Sequence, residues 1–124
     1  MTIRPDLPRR VAAASMLLAL LAPMPAHAHA ILKESEPGQH ESVPSGMVGL
    51  HLRYNSRIDW ARSRLLLLRP DHSQSVLRIM PGGPPDLLSA SATLAPGAYT
   101  IRWHVLATDG HLTRGDLRFT VTEP

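Results

Sequence analysis

An all-β domain, a sandwich or barrel, is what the sequence predicts, and three observations carry that prediction. Short stretches alternate apolar and polar residues, as half-buried strands do. Clusters of Pro, Gly, Asp and Ser punctuate them at close intervals. No helical period follows residue 28. Many short strands separated by turns belong to sandwiches and barrels.

Met1 to Ala28 reads as a signal peptide. Arg4, Arg9 and Arg10 supply the positive start, and Val11 to Leu21 is an apolar run of the length an export segment needs. That run is shorter than the roughly 20 apolar residues of a membrane span, so cleavage rather than anchoring is expected. Ala26-His27-Ala28 is a small-x-small cleavage site, and a cut after it makes His29 the first residue. Ala28-His29-Ala30 satisfies the same rule and would start the chain at Ile31 instead. The expected division is residues 1–28 as leader and 29–124 as one β domain that does not span the membrane.

Within 124 residues there is room for a single domain. Three Arg and one Asp belong to the leader, leaving ten basic against nine acidic side chains. A near-neutral mature chain offers no electrostatic footprint for nucleic acid. The chain has no cysteine, so an exported domain of this size rests on its apolar core, and thiolate metal sites are excluded.

Ile31 to Gly46 mixes charges with Pro37, Gly38 and Pro44, and reads as an extended arm followed by turns, with a short strand over Ala30 to Ser35. In Met47 to Tyr54, Val48, Leu50, Leu52 and Tyr54 share one face while Gly49, His51 and Arg53 share the other. Asn55 to Arg62 is a polar connection whose Ile58 and Trp60 tuck under as a plug. Leu65 to Leu68 is a continuous apolar run that periodicity cannot assign, but its length and Pro70 favour a strand. Val76 to Met80 would pair back across Pro70-Asp71-His72-Ser73, and Pro81 to Pro85 is a break. Leu87 to Leu94 is a short strand or irregular. Ala95-Pro96-Gly97 launches the clearest strand, with Tyr99, Ile101, Trp103 and Val105 inward and Thr100, Arg102 and His104 outward. Thr108-Asp109-Gly110-His111 ends it, Asp-Gly being a turn pair. Leu117, Phe119 and Val121 alternate in a closing strand.

Six histidines remain after cleavage. His40, in the arm, and His51 and His104, on polar strand faces, read as surface residues; His72 lies in a turn and stays ambiguous. His111 follows Asp109 by two residues across a glycine, a spacing that brings carboxylate and imidazole to one edge or merely orients a turn. A mature N-terminal His29 changes the weight of that pair, because its α-amine and ring can close one chelate ring on a metal. The amine, the two imidazoles and the Asp109 carboxylate make three nitrogens and one oxygen. Tetragonal nitrogen and oxygen ligation suits Cu(II), which also tops the divalent affinity series. Zn(II) accepts the same donors but prefers a tetrahedron. Cu(I) wants soft sulfur, and the mature chain offers only Met47 and Met80, far apart in sequence. Such binding displaces protons from an amine and from imidazoles, whose ordinary pKa values are about 7.7–8.0 and 6.5, so affinity should fall with pH.

The start His29-Ala30-Ile31-Leu32, the Ser35-Glu36-Pro37 segment, the Leu94 to Trp103 strand with its Pro-Gly-Ala-Tyr, and the loop Thr108 to Gly115 resemble the CopC proteins, periplasmic copper-resistance and copper-handling domains. The resemblance extends over nearly all of His29 to Val121. It implies an immunoglobulin-like Greek-key β-sandwich or barrel of about seven strands, and one Cu(II) per chain held by His29, Asp109 and His111. Some members carry a second, Cu(I) site on a Met-rich hairpin with one His. Here Leu65 to Val76 keeps His72 but holds Leu, Arg and Gln in place of thioethers, so no such site is expected.

A periplasmic Cu(II) carrier or buffer, monomeric and not an enzyme, is the function expected. Nothing in the sequence supplies a nucleophile with an adjacent base or a phosphate-cradling glycine loop. The resemblance further implies delivery to an inner-membrane transporter of the CopD type. A copper monooxygenase using an N-terminal His is the alternative, but Asp109 would close the position that oxygen needs. An immunoglobulin-like interaction module without metal is the third reading, and it follows if the leader is cut after Ala30.

Overall fold

The computed structural model describes residues 30–124, so the leader, its cleavage site and His29 lie outside the described residues. Eight strands form two facing sheets: β1 (Leu32–Glu36), β2 (Ser42–Pro44), β3 (Gly46–Tyr54), β4 (Arg64–Leu68), β5 (Gln74–Leu77), β6 (Leu87–Leu94), β7 (Gly97–Leu106) and β8 (Leu112–Thr122). The smaller sheet has the order β1-β3-β6 and the larger β2-β8-β7-β4-β5. Among the described residues no helix is long and apolar enough to cross a membrane.

The predicted alternation becomes the core. Val48, Leu50, Leu52 and Tyr54 of β3 meet Ile101, Trp103 and Val105 of β7, with Leu65, Leu67, Leu88, Leu117 and Phe119 filling the space between the sheets. Burying one such aliphatic side chain stabilises the fold by about 1.5–3 kcal/mol, and with no disulfide this layer carries the domain. Tyr54 and Trp103 meet edge to face with ring centroids 5.3 Å apart. Burial pushes the Tyr54 phenol far above its ordinary range. Gly115 lies opposite Trp103, whose ring occupies the place a Cβ would take, so the close approach of ring and backbone requires glycine. Ile58 and Trp60 do plug the connection; Trp60 opens a 3-10 turn that Asp59 caps by accepting from the Arg62 N–H.

Three local expectations shift. The part of the arm expected to hold turns, after its first strand, contributes β2, a three-residue strand parallel to β8, which raises the count above seven. The strand expected over Val76 to Met80 spans Gln74–Leu77 instead. Asp71 accepts from both the N–H and the hydroxyl of Ser73, closing the turn early enough for pairing to resume at once. Leu87–Leu94 is a full strand, paired with β3 along its whole length. Its run of Ser, Ala and Thr hides the alternation because small residues suffice on a sheet edge.

The border of β8 is occupied by the arm. Gln39 accepts from the Arg118 N–H with its side-chain oxygen and donates to the Asp116 carbonyl with its amide. His40 donates to the Arg118 carbonyl, Thr120 to that of Glu41, and Ser45 to that of Thr122.

Candidate metal centre

The loop between β7 and β8 is a tight, internally bonded turn. Ala107 donates to the His111 carbonyl at 2.9 Å, Gly110 donates to Ala107 at 2.9 Å, and Thr108 donates to Arg57 at 3.1 Å. Gly110 stands at φ 96°, a left-handed conformation that glycine adopts without steric cost. Ala107 also bridges to Ile58, so the loop is braced from the connection beneath it.

Asp109 and His111 are brought together here. One Asp109 carboxylate oxygen accepts from the His111 N–H at 3.1 Å, and the other lies 3.1 Å from His111 Nδ1. The carboxylate thereby fixes the ring's rotation and faces Nδ1, the arrangement by which carboxylates orient metal-binding imidazoles. Both side chains are partly exposed, 45 % for His111 and 35 % for Asp109.

The start of the described chain is secured against this loop. Thr113, two residues beyond His111, donates its hydroxyl to the Ala30 carbonyl at 2.9 Å. Ile31 donates to the Asn55 side chain at 2.8 Å, and Asn55 donates back to the Ile31 carbonyl at 3.0 Å. Ala30 is buried. Thr113 and Asn55 therefore belong to the site's architecture. Sequence reasoning singled out neither, because each acts on a partner 83 or 24 residues away and no local spacing announces it.

The other histidines are elsewhere. His72 sits in the β4–β5 hairpin, at the end of the large sheet away from this loop, with φ 70°. His51 contacts the Ser89 hydroxyl at 3.1 Å on the outside of the small sheet, His104 lies on the outer face of β7, and His40 lies in the arm. Among the described residues no group of three or more His, Asp or Glu is placed to hold a metal; the third predicted ligand, His29, falls outside them.

Comparison with known proteins agrees with this architecture. The family model for the CopC domain matches residues 32–122. The crystal structure of CopC from Methylosinus trichosporium OB3b is similar, with a TM-score of 0.71 and 26 % identity, over 77 % of this chain and 95 % of that one. PcoC, a methionine-rich copper resistance protein from Escherichia coli, shares the fold at a TM-score of 0.64 and 24 % identity, over 77 % of this chain and 100 % of that one. Among curated proteins, YobA of Escherichia coli K12 is 25 % identical over 100 residues, covering 76 % of this chain and 79 % of its own length. With nearly the whole β domain matched by its model, the chain belongs to the CopC family.

Proposed function

We propose that this protein is a periplasmic Cu(II) carrier or buffer, in which cleavage after Ala28 makes His29 the N-terminus and one Cu(II) is held by His29, Asp109 and His111. The observation that supports it most directly is the Thr113 hydrogen bond to Ala30. The residue before Ala30 is one peptide unit away, about 3.8 Å between Cα atoms. Ala30 is anchored beside the loop that carries Asp109 and His111, which supports a ligand supplied by the residue before it. The donors fit the ion: an amine, two imidazoles and a carboxylate are the nitrogen and oxygen set that Cu(II) accepts in a tetragonal plane. A carboxylate has about four lone-pair positions, so Asp109 can orient His111 and still take a place at the metal. Copper is cargo in this reading, and an ion surrounded by protein donors is held rather than used on a substrate. Delivery to a CopD-type transporter would follow from family membership.

Two measurements test the proposal. The intact mass of the secreted protein should correspond to a chain starting at His29, and that protein should take up one equivalent of Cu(II) with nitrogen hyperfine structure in its EPR spectrum. A start at Ile31, or a spectrum without nitrogen coupling, removes the site. Separately, Thr113→Val deletes the hydroxyl at nearly constant volume. It should weaken Cu(II) binding by about fivefold, the worth of one hydrogen bond of ~1 kcal/mol, while the β-sheet circular dichroism stays native. Unchanged affinity in a calorimetric titration would show that the tether plays no part.

A further inference from the structure

The outer face of the large sheet carries a row of basic side chains for which the fold itself gives no reason. The register places Arg64 of β4, His104 of β7 and Arg114 of β8 side by side across three adjacent strands. With strands roughly 4.8 Å apart, the row spans about 10 Å. Arg64 and Arg114 are exposed, and among the described residues neither has a carboxylate within ion-pair distance.

The neighbouring rows sharpen the asymmetry. Arg102 and Arg118 point the same way from β7 and β8, and the only carboxylate facing outward on β4, β7 and β8 is Asp116. Asp116 is committed to Arg102, with bonds of 2.9 and 3.1 Å, and lies 4.0 Å from Arg118. The Arg102 hydrogen bond, then the charges of Arg102, Arg118 and His104, hold its carboxyl below the usual value against the opposing effect of burial. Four of the mature chain's ten basic residues thus share this face with one of its nine acids. Apolar side chains flank the basic row: Leu66 pairs with Arg102 on one side, and Leu112, 54 % exposed, pairs with Leu106 on the other. A shallow cleft lined by Leu66, Arg102, His104, Arg114 and Asp116 runs over it.

We infer that the outer face of β4, β7 and β8 is a docking surface for an acidic segment of a partner protein, with Arg64 and Arg114 as its carboxylate-binding groups. Arginine presents a planar fork of donors that matches a carboxylate two bonds at a time, as Arg102 already does to Asp116. The flanking leucines suit the apolar side chains between a partner's acids, and arginine is among the residues enriched where binding energy concentrates. A membrane surface fits less well: recognition of anionic lipid uses clusters of four to eight Lys or Arg, often from flexible or helical segments, and here the basic groups are fixed on a sheet with a carboxylate among them. The row begins two residues from the strand end that leads into the Asp109–His111 loop, so a docked partner would lie beside that loop. The docking itself does not depend on the loop holding copper.

The test is an NMR titration of the metal-free mature domain with an oligo-glutamate peptide interspersed with leucine, and with phosphatidylcholine vesicles containing phosphatidylglycerol. The expected result is a set of shifts confined to the amides of the outward-facing residues of β4, β7 and β8. The Arg64→Gln, Arg114→Gln double variant should bind the peptide at least about tenfold more weakly, and Arg53→Gln, on β3 of the other sheet, should not change it. If the double variant loses its native spectrum, the two single variants are compared in its place, each expected to lose severalfold. Shifts spread over the whole surface, an unaffected double variant, no peptide binding, or binding to vesicles in preference to peptide would each overturn the inference. A result of either kind is independent of copper affinity, which is measured without the peptide.

Discussion

His111→Ala lowers Cu(II) affinity by more than about a hundredfold, since even groups one step removed from a metal contribute ten- to a hundredfold and this ring is proposed as a ligand. The fold should survive the change. The ring is nearly half exposed, and the turn is closed by the backbone of His111, which accepts from Ala107 and donates to Asp109. Alanine keeps both backbone groups. Competition titration against a chelator of known affinity measures the loss, and circular dichroism should show the same sheet signal and a midpoint within a few degrees of the parent. An unchanged dissociation constant would reject the site as proposed.

One residue added before His29 should do comparable damage by a different route. The imidazole is retained, but its neighbouring α-amine becomes a peptide N–H, and the new amine lies a residue further from the anchored Ala30 carbonyl. The six-membered ring that amine and imidazole would close on copper is lost, and with it the nitrogen that deprotonates near neutral pH. The Cu(II) EPR spectrum should lose one nitrogen coupling, and affinity should again fall by more than about a hundredfold, the same scale as losing a ligand outright. A titration superimposable on the parent's would leave the terminal amine without a role. The two experiments separate the halves of the site, one on the loop and one at the terminus.

Most of the fold was legible in the sequence because a core between two sheets imposes a period of two on every central strand. Val48 to Tyr54 and Tyr99 to Val105 show that period plainly, and both are buried as expected. The resemblance to the CopC proteins pointed to the same two-sheet arrangement, and membership in that family holds. What escaped was set by contacts that local pattern does not encode. β2 forms because β8 offers it a border, not because Ser42-Val43-Pro44 favours extension by itself. Leu87–Leu94 carries only small residues at several positions and gives a weak signal although it pairs fully. Asp109 and His111 were legible as a pair from their spacing across Gly110, and the loop does bring them together. Thr113 and Asn55 were not, since a hydroxyl or an amide gains its role only from what the fold places opposite it.

The way the arm lies along β8 has a consequence for self-association. A sheet border normally presents a ladder of unmet amides and carbonyls on which a second molecule can template itself, the first step toward fibrils. Here a single glutamine side chain stands in for a peptide unit at Asp116 and Arg118, the short parallel strand takes Thr120 to Thr122, and the tethered Ala30 meets Thr113. The segment that runs on from the tethered Ala30 also walls off the longest strand from neighbouring molecules.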